Sequence, residues 1–534
     1  MPTFKLNGQE IPFEEGDTVI RAAWRQGIEI PHYCWHPGLP VDGNCRMCLV
    51  HIESGRQMAM PILKFDSKKQ EYVPDTKAKL QIACQFPASE GLEVSSVNAE
   101  VKEAQRAVQE YLLLNHPVDC PICDQSGECK LQDYYYAHQF ALKRKKTEIV
   151  HKPKGVRFGP TIVYDAERCI MCTRCIRVCD ELAHDHVLDK RERGNHDEIV
   201  LAPGRELDHK YTLMTELVCP VGALTSRDFR FKARVWFLKR APGVCSGCAT
   251  GCNTHIDYDP RYGKVYRLYP RDNPDVNKFW MCDDGMMTYH HQQENRVLAP
   301  TMGRGVERVA IGREDAIALA AGRLAEVPVD KLAIVLSAQH SSEDNLALAE
   351  LGRKLGVERF YLAALGGWEG DDTLRHPDNN PNRAGAVRAA GGPLERTVRD
   401  LVDDVQRGEV RGVLALGWAS AAALEELAPL TELSAFVSLT THVGALPTAA
   451  AVVLPVTDSF EMHGTFVNAK GLAQTFKRAI PAPPGVEPAW KTLVELGAAM
   501  GQKLPYDTLQ DVRAAIDAQT KGVTAAAGAA EAPA

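Results

Sequence analysis

The last part of this chain contains no cysteine, because all sixteen cysteines of the 534 residues lie at or before Cys282. Metal sites built on thiolates are therefore expected only before that point, and the rest of the chain must have another role. The chain also lacks a basic excess, since 62 Lys and Arg stand against 69 Asp and Glu for a net charge of −7. That balance gives no reason to expect nucleic acid as a partner.

Long apolar segments are missing as well. The most apolar uncharged run, residues 443–457, is too short to span a bilayer and contains Pro447 and Pro455. The first residues have neither an apolar signal core nor a twin-arginine pair, so we expect no export. Any membrane association is expected to come through partner proteins.

What the chain does have is length enough for several domains, and cysteines in tight C-x2-C spacings. So many cysteines are compatible with disulfides. In a cytosolic chain of this size, however, these spacings favour metal binding.

The central cysteine run is Cys-Ile-Met-Cys-Thr-Arg-Cys-Ile-Arg-Val-Cys, residues 169–179. Cysteines at C-x2-C-x2-C joined by a distant Cys-Pro are the ligand pattern of a ferredoxin-type [4Fe–4S] cluster. The predicted ligands, here named the Cys169 group, are Cys169, Cys172, Cys175 and Cys219. In two-cluster ferredoxins the fourth cysteine of the run, here Cys179, binds the other cluster, but no second such run precedes Cys219. Cys179 is therefore predicted to be a small buried hydrophobic residue.

Three arginines flank this run: Arg168, Arg174 and Arg177. Their charge could offset the negative charge of a cluster and raise its reduction potential. Exposed arginines without such a role are the alternative.

The N-terminal segment predicts a hairpin at Asn7-Gly8, followed by a helix from Val19 that ends at Gly27. A hairpin, a helix and then a cysteine loop resemble the β-grasp of [2Fe–2S] ferredoxins. The cysteines that follow, the Cys34 group, are Cys34, Cys45, Cys48 and Cys84. Ten residues separate the first two, where plant-type ferredoxins have four, so the loop is longer. A zinc site is the alternative.

A predicted helix over residues 101–114 leads into His116-Pro-Val-Asp-Cys120-Pro-Ile-Cys123-Asp-Gln-Ser-Gly-Glu-Cys129. One histidine and three cysteines supply four ligands, a set that suits zinc as well as iron–sulfur. A histidine before a proline is otherwise an ordinary loop residue, so its role stays open on spacing alone.

This segment, continued by Lys-Leu-Gln-Asp, resembles the signature of the large iron–sulfur subunit family of NADH:quinone oxidoreductase, respiratory complex I. The resemblance implies a [4Fe–4S] cluster on the His116 group, which is His116, Cys120, Cys123 and Cys129. Related N-terminal modules occur in NAD-linked hydrogenases and formate dehydrogenases, and an iron–sulfur subunit of such a complex is the alternative.

A last set, the Cys245 group, comprises Cys245, Cys248, Cys252 and Cys282. It resembles the [4Fe–4S] site of molybdopterin oxidoreductases, with a four-cysteine zinc site as the alternative. Sixteen cysteines without Cys179 but with His116 give sixteen ligands, enough for four four-ligand clusters. The expected cofactors are one [2Fe–2S] and three [4Fe–4S] clusters.

The cysteine-free part alternates strand-like and helix-like segments, which predicts a parallel α/β sheet covered on both faces. Strands are expected at residues 332–336, 359–362, 413–416, 436–439 and 452–455. The segment 461–468, with Gly471 and Gln474, resembles the pterin-facing region of molybdopterin oxidoreductases. Because no cysteine is left to bind molybdenum, we expect a vestigial scaffold without molybdenum.

The predicted fold is multidomain, α+β and α/β. The predicted domains are 1–95, a [2Fe–2S] ferredoxin-like β-grasp; 96–140, a [4Fe–4S] domain with one histidine and three cysteines as ligands; 141–235, a [4Fe–4S] ferredoxin-like domain; 238–294, a [4Fe–4S] domain of molybdopterin-enzyme type; 295–520, a molybdopterin-oxidoreductase-like α/β domain; and 521–534, a disordered alanine-rich tail.

The resemblance implies an electron-transfer subunit with no complete active site of its own, in an enzyme that couples quinone reduction to proton translocation. Electrons would pass from the flavin-bearing NADH-binding subunit to the Cys34 group, the Cys169 group and the His116 group, with the Cys245 group off this path. They would leave to a two-cluster ferredoxin-like subunit, other peripheral-arm subunits being further partners. The implied location is the cytoplasmic face of the bacterial inner membrane, held there through partners.

Overall fold

A computed structural model describes residues 1–54, 63–74, 80–138 and 148–530. Its contacts divide the chain into two units, Met1–Phe237 and Leu238–Ala534. The first unit contains the Cys34, His116 and Cys169 groups, and the second contains the Cys245 group and the cysteine-free part. None of the helices in the described ranges has the length and apolar character needed to cross a membrane.

The first unit is built from short strands and five helices in its described part. Its elements are β1 Thr3–Leu6, β2 Gln9–Pro12, α1 Val19–Arg25, β3 Leu49–Ser54, β4 Leu63–Asp66, β5 Glu71–Pro74, β6 Gln81–Ile82, β7 Glu93–Ser95, α2 Ala99–Leu113, α3 Lys130–Ala137, β8 Val156–Arg157, β9 Ile162–Tyr164, α4 Arg174–Glu181, β10 Leu188–Arg191, β11 Glu198–Leu201, α5 Leu213–Leu217 and β12 Leu224–Ser226.

The N-terminal sheet has the strand order β2-β1-β7-β3-β6, in which β1 and β7 are parallel and the other pairs antiparallel. Asn7 and Gly8 both have positive φ, 53° and 83°, as a tight primed turn requires, so the predicted hairpin is confirmed. The predicted helix is confirmed as α1, whose Val19, Ile20 and Ala23 are buried in the core of this sheet. A mixed sheet with one helix packed on it is the predicted β-grasp.

The second unit alternates strands and helices through most of its length. Its elements are β13 Lys239–Val244, β14 Asn253–Asp259, β15 Lys264–Pro270, α6 Asp283–Gln293, β16 Thr301–Met302, β17 Val309–Ala310, α7 Arg313–Ala325, β18 Leu332–Ser337, α8 Ser342–Leu355, β19 Arg359–Ala363, α9 Arg383–Ala390, α10 Val398–Gln406, β20 Gly412–Leu416, β21 Ala435–Thr440, α11 Ala445–Ala449, β22 Val452–Pro455, β23 Gly464–Val467, β24 Ala473–Phe476, α12 Ala489–Ala499 and α13 Leu509–Ala530.

The main sheet has the order β17-β16-β22-β21-β20-β18-β19, and its five strands from β22 to β19 are parallel. These are the five predicted strands, and β18, β20, β21 and β22 are buried at every position, as a sheet covered on both faces requires. The two-residue antiparallel strands β16 and β17 add an edge that the sequence pattern does not predict.

The C-terminal segment differs from its prediction. Residues 521–534 are expected to be disordered, but α13 continues through them as far as Ala530. Alanine has the highest helix propensity of all residues, so the same composition also favours continuing a helix. Residues 531–534 lie outside the described ranges.

A buried ion pair ties the segment after α6 to the loop after β22. The Arg296 guanidinium donates to Asp458 at 2.8 Å and to Glu461 at 2.6 Å, and all three side chains are less than a tenth exposed. Removing one partner of such a pair leaves a buried charge uncompensated, which costs about 3–5 kcal/mol. Arg296→Met should therefore lower the free energy of unfolding by about 3 kcal/mol or more, measured by urea denaturation of the full chain.

Arg399→Met is the matched control. It removes an exposed pair with Glu426, which should cost no more than about 1 kcal/mol. An equal loss of unfolding free energy in Arg296→Met and Arg399→Met would contradict a stabilising role for the buried pair.

Candidate metal centres

The Cys34 group is assembled from the loop between α1 and β3 and from the segment after β6. Its members Cys34, Cys48 and Cys84 are buried and Cys45 is half-buried. A hydrogen bond between the Cys34 and Cys45 thiols raises the pKa of Cys34 and lowers the pKa of Cys45 to about 7. A second hydrogen bond, between Cys48 and Cys84, raises the pKa of Cys48. The structure thus brings the four predicted residues together as two pairs.

The Cys169 group lies around one small cavity at the start of α4. All four predicted ligands line it, together with apolar side chains such as Tyr164, Ile199 and Leu224. Cys179, one turn further along α4, is not among the lining residues. It is buried, and its Sγ lies 3.4 Å from Nε2 of His209. The predicted burial of Cys179 is thus confirmed.

The His116 group also surrounds a single cavity, between the end of α2 and the start of α3. His116 and the three cysteines line it, with Leu113, Leu131 and Tyr135 among the other walls. Cys129 is the residue immediately before α3, and backbone amides of Leu131 and Gln132 hydrogen bond to its sulfur. The geometry therefore places His116 with the cysteines rather than in a separate loop.

Residues that adjoin predicted ligands in the sequence form contacts that join the His116 and Cys169 groups. Arg168, which precedes Cys169, donates to both carboxylate oxygens of Asp119, which precedes Cys120, at 2.7 and 3.2 Å. A backbone bond of 3.1 Å runs from Lys130 N to Pro220 O, the residues that follow Cys129 and Cys219. Arg168 is only 5% exposed, so the alternative of an exposed arginine is wrong at this position.

The Cys34 group is connected to the His116 group through Tyr33. This buried residue donates its hydroxyl to Gln109 of α2, and its ring packs edge-on against Tyr134 of α3 with centroids 5.4 Å apart. Gln109 in turn donates to Leu131 O at 2.9 Å. Tyr33, which adjoins Cys34, thus connects the Cys34 group to the helices α2 and α3 that flank the His116 group.

The Cys245 group is entirely buried and is formed by the loop between β13 and β14 together with Cys282, which caps α6. The Gly247 amide lies 3.3 Å from the Cys245 sulfur, and the Gly285 amide lies 3.3 Å from the Cys282 sulfur. Asn468 and Gln474, from the segment that resembles a pterin-facing region, donate to backbone oxygens of Thr250 and Gly251. That segment therefore supports the cysteine loop directly.

The chemistry of these donor sets fits iron–sulfur clusters. Burial raises the pKa of Cys169, Cys172 and Cys219 to about 11, so without a metal these thiols are neutral at pH 7. A bound metal stabilises the thiolate, and amide donors to sulfur are the contacts that tune such clusters. In the described residues no three His, Cys, Asp or Glu side chains converge as closely as the ligands of a single metal ion.

The backbone at the sites has features that residue patterns do not reveal. Arg46, Met171 and Thr173 have positive φ of 59°, 52° and 60°, which is uncommon for residues other than glycine. The Met171 amide reaches the Cys169 sulfur at 3.4 Å. The left-handed Met171 thus presents its own amide to the Cys169 sulfur, and the residue pattern does not signal this conformation.

The second unit contains a partly open cavity of about 500 Å³ at the carboxyl ends of its parallel strands. His340 and His442 line it, and Nε2 of His340 is buried without a hydrogen-bond partner in the described part of the chain. Burial lowers the pKa of His340 to about 3 and the pKa of His442 to about 4, so both are neutral at pH 7. The domain expected to be a scaffold therefore contains a cavity lined by two neutral histidines.

Four family models match the chain in the order of these sites. They are the 2Fe-2S iron-sulfur cluster binding domain over residues 1–99, the NADH-ubiquinone oxidoreductase-G iron-sulfur binding region over 105–141, the ferredoxin-like domain of NADH-quinone oxidoreductase subunit 3 over 159–225, and molybdopterin oxidoreductase over 332–499. Iron–sulfur binding domains of both the 2Fe-2S and 4Fe-4S kinds are therefore present.

A solved structure, an NAD+-reducing [NiFe]-hydrogenase in the H2-reduced state, matches at 29% identity and TM-score 0.36, over 44% of this chain and 91% of that chain.

Curated relatives match up to about two thirds of the chain. The G subunit of NADH-quinone oxidoreductase from Rickettsia felis is 34% identical over 68% of this chain and 50% of its own length. The mitochondrial NADH dehydrogenase [ubiquinone] iron-sulfur protein 1 of Solanum tuberosum is 33% identical over 68% of this chain and 46% of its own length. The G subunit from Streptomyces coelicolor is 34% identical over 57% of this chain and 34% of its own length. The match spans about half the length of the first of these relatives. With the family models and the site geometry, these matches show that the chain belongs to the family of G subunits, the large iron–sulfur subunits of NADH-quinone oxidoreductases.

Proposed function

We propose that the chain is an electron-transfer subunit of NADH:quinone oxidoreductase, placed between a flavin-bearing NADH-binding subunit and a two-cluster ferredoxin-like subunit of the peripheral arm. The observation that carries the proposal is the connection of three ligand groups within one folded unit. Residues next to ligands form direct contacts between the groups, as Arg168 and Asp119 do. Such contacts favour the short, fixed separations that electron transfer between cofactors needs.

The residues proposed to hold clusters are the four ligand groups. The Cys34 group would hold a [2Fe–2S] cluster, and the His116, Cys169 and Cys245 groups would each hold a [4Fe–4S] cluster. The pairing of Cys34 with Cys45 and of Cys48 with Cys84 supports the first assignment, because each iron of a [2Fe–2S] cluster takes two thiolates. When bound, the clusters supply one-electron transfer.

The chain's own residues hold the thiolates, orient them and exclude water. The helices α3 and α6 begin directly after Cys129 and Cys282, so the positive ends of their dipoles lie at ligand sulfurs. Apolar walls such as Tyr164 and Ile199 keep the Cys169 cavity away from solvent. The tuning of each site by burial and amide hydrogen bonds is thus built into the protein.

The Cys245 group is proposed to be structural and outside the path of electrons, in a domain that binds no molybdenum. No complete active site is proposed for this chain alone, so NADH oxidation, quinone reduction and proton translocation belong to the whole complex. Partners would hold the chain at the cytoplasmic face of the bacterial inner membrane.

Metal and sulfide analysis of the anaerobically purified chain tests the assignment. About fourteen iron atoms per chain with no zinc or molybdenum would support one [2Fe–2S] and three [4Fe–4S] clusters. About ten irons with one zinc would mean that one group, first of all the Cys245 group, holds zinc instead of a cluster. One molybdenum per chain would instead make the second unit a catalytic domain.

His116→Cys should lower the midpoint potential of the cluster on the His116 group. Thiolate adds a negative charge where neutral imidazole has none, and a more negative site is harder to reduce. We expect a shift on the order of 60 mV, a tenfold change in the equilibrium constant of a one-electron couple. Redox titration followed by EPR measures it, with the clusters of the other groups as internal controls. An unchanged midpoint potential in a His116→Cys variant with full iron content would refute the proposed effect of the histidine ligand on the potential.

A further inference from the structure

Two ligand loops of the first unit dock on each other through polar side chains. One is the loop that carries Cys34 and Cys45, and the other is the Cys169–Cys175 run. Asn44 donates to Met171 O at 3.0 Å, and Thr173 donates to the Asp42 carboxylate. The contact between the Cys34 and Cys169 groups is therefore specific and lies at the ligands themselves.

Arg177 bridges the two groups most directly. Its Nη2 donates to Cys34 O at 2.6 Å and to Cys172 O at 3.0 Å, so one guanidinium nitrogen binds the backbone of a ligand from each group. Its Nη1 donates to Pro40 O at 2.5 Å. Arginine suits this position because its planar fork presents several donors in fixed directions.

Arg174 makes a second, more buried bridge. Its guanidinium donates to Trp35 O, next to Cys34, and to Val218 O at 3.1 Å, next to Cys219. The side chain is only 8% exposed, so the alternative of an exposed arginine is wrong here too. In sequence it lies 139 positions from Trp35, which makes this a tertiary contact rather than a local one.

Neither guanidinium has a carboxylate partner among the described residues; both donate to backbone carbonyls, and Arg177 also donates to the Thr173 hydroxyl. An arginine stays charged, and a charge as buried as that of Arg174 is destabilising unless an opposite charge compensates it. The nearby groups that would become negative are the thiolates of the two ligand groups. Cluster-bound thiolates on both sides would therefore compensate these cations.

We propose that Arg174 and Arg177 form a cationic bridge that fixes the spacing of the Cys34 and Cys169 sites and raises the reduction potential of both. The inference rests on the proposed function, since it requires clusters on both groups. The two arginines are positioning residues that act through charge and backbone contacts. A single bridge would thus raise the reduction potentials of the Cys34-group and Cys169-group clusters together. The difference between the two potentials, which drives electron transfer from one to the other, would stay small.

The test is an EPR-monitored redox titration of the anaerobically purified full chain carrying Arg174→Met or Arg177→Met. Each change removes the charge and keeps an apolar stem. We expect the potentials of both the [2Fe–2S] cluster and the Cys169-group cluster to fall, each by about 59 mV for a tenfold change in the equilibrium constant. The potential of the Cys245-group cluster should not move. The magnetic coupling between the two reduced clusters, read from their relaxation, should change as well.

Arg227→Met is the matched control, because this exposed arginine also donates to a backbone carbonyl, Pro160 O at 2.6 Å. It should shift neither potential. Unchanged potentials in both bridge variants, with iron content intact, would overturn the proposal.

Variants with lysine keep the test decisive if the methionine variants lose iron. Arg174→Lys and Arg177→Lys retain the charge but cannot span two carbonyls, so they should load clusters, keep the potentials and alter the magnetic coupling. Loss of iron in the lysine variants as well would overturn the role of charge. Absence of iron from both groups in the unaltered chain would instead overturn the proposed function itself.

Discussion

Replacing Cys175 with alanine should lower the iron content of the purified chain from about fourteen to about ten atoms. Cys175 is buried at the first turn of α4 and lines the same small cavity as Cys169, Cys172 and Cys219. A [4Fe–4S] cluster needs one ligand for each iron, and no other thiol lines that cavity to replace the lost one. The EPR signal of this group should disappear, and electron transfer in the assembled complex should fall to background.

Cys179→Ala is the matched control, since it removes a buried thiol from the same helix four positions on. Its sulfur contacts His209 and does not line the cavity, so the variant should keep all its iron and all EPR signals. Only a modest loss of stability is expected from one smaller side chain. If Cys179→Ala loses about four irons and Cys175→Ala loses none, the ligand assignment of this group is wrong.

Local signals in the sequence predict much of the fold because they act over short distances. Asn7-Gly8 predicts its hairpin, since few other residues accept positive φ at both turn positions. Runs of apolar residues predict the parallel strands, whose two faces are both buried. Strands β16 and β17 escape prediction because two residues carry no periodic pattern, and tertiary pairing alone defines them.

The candidate sites are predictable to the extent that their ligands are close in sequence. C-x2-C spacing groups many of the predicted ligands, but it does not place distant ones such as Cys84, Cys219 and Cys282, which the resemblances and the ferredoxin pattern assign. Cysteine spacing also does not predict which residues surround a site. Arg174 contacts Trp35 only because two separate loops dock, and Tyr33 joins Gln109 in the same way. Residues that tune and position the groups come from the tertiary structure.

Gly222→Ala should remove the cluster of the His116 group, although Gly222 belongs to the segment that follows Cys219. A Cβ atom at this glycine would lie 2.4 Å from the Cys123 sulfur and 3.1 Å from Cβ of Gln125, far inside contact distance. Because a cluster would hold the Cys123 sulfur in place, the added methyl group cannot be accommodated by a simple rotation. We expect a loss of about four irons and of the corresponding EPR signal.

The same variant separates a local defect from unfolding. The Cys34 group lies on the β-grasp core and does not touch Gly222, so its [2Fe–2S] signal should persist in Gly222→Ala if only the neighbouring site is lost. Gly322→Ala is the chemical control: a Cβ there would meet nothing within 4 Å, and full iron content is expected. Full iron content in Gly222→Ala would contradict the close approach of the two ligand segments. Gly222 packs against Cys123 of the His116 group and follows Cys219 of the Cys169 group in the sequence. A single added methyl group therefore tests whether the segments of these two groups are in direct contact.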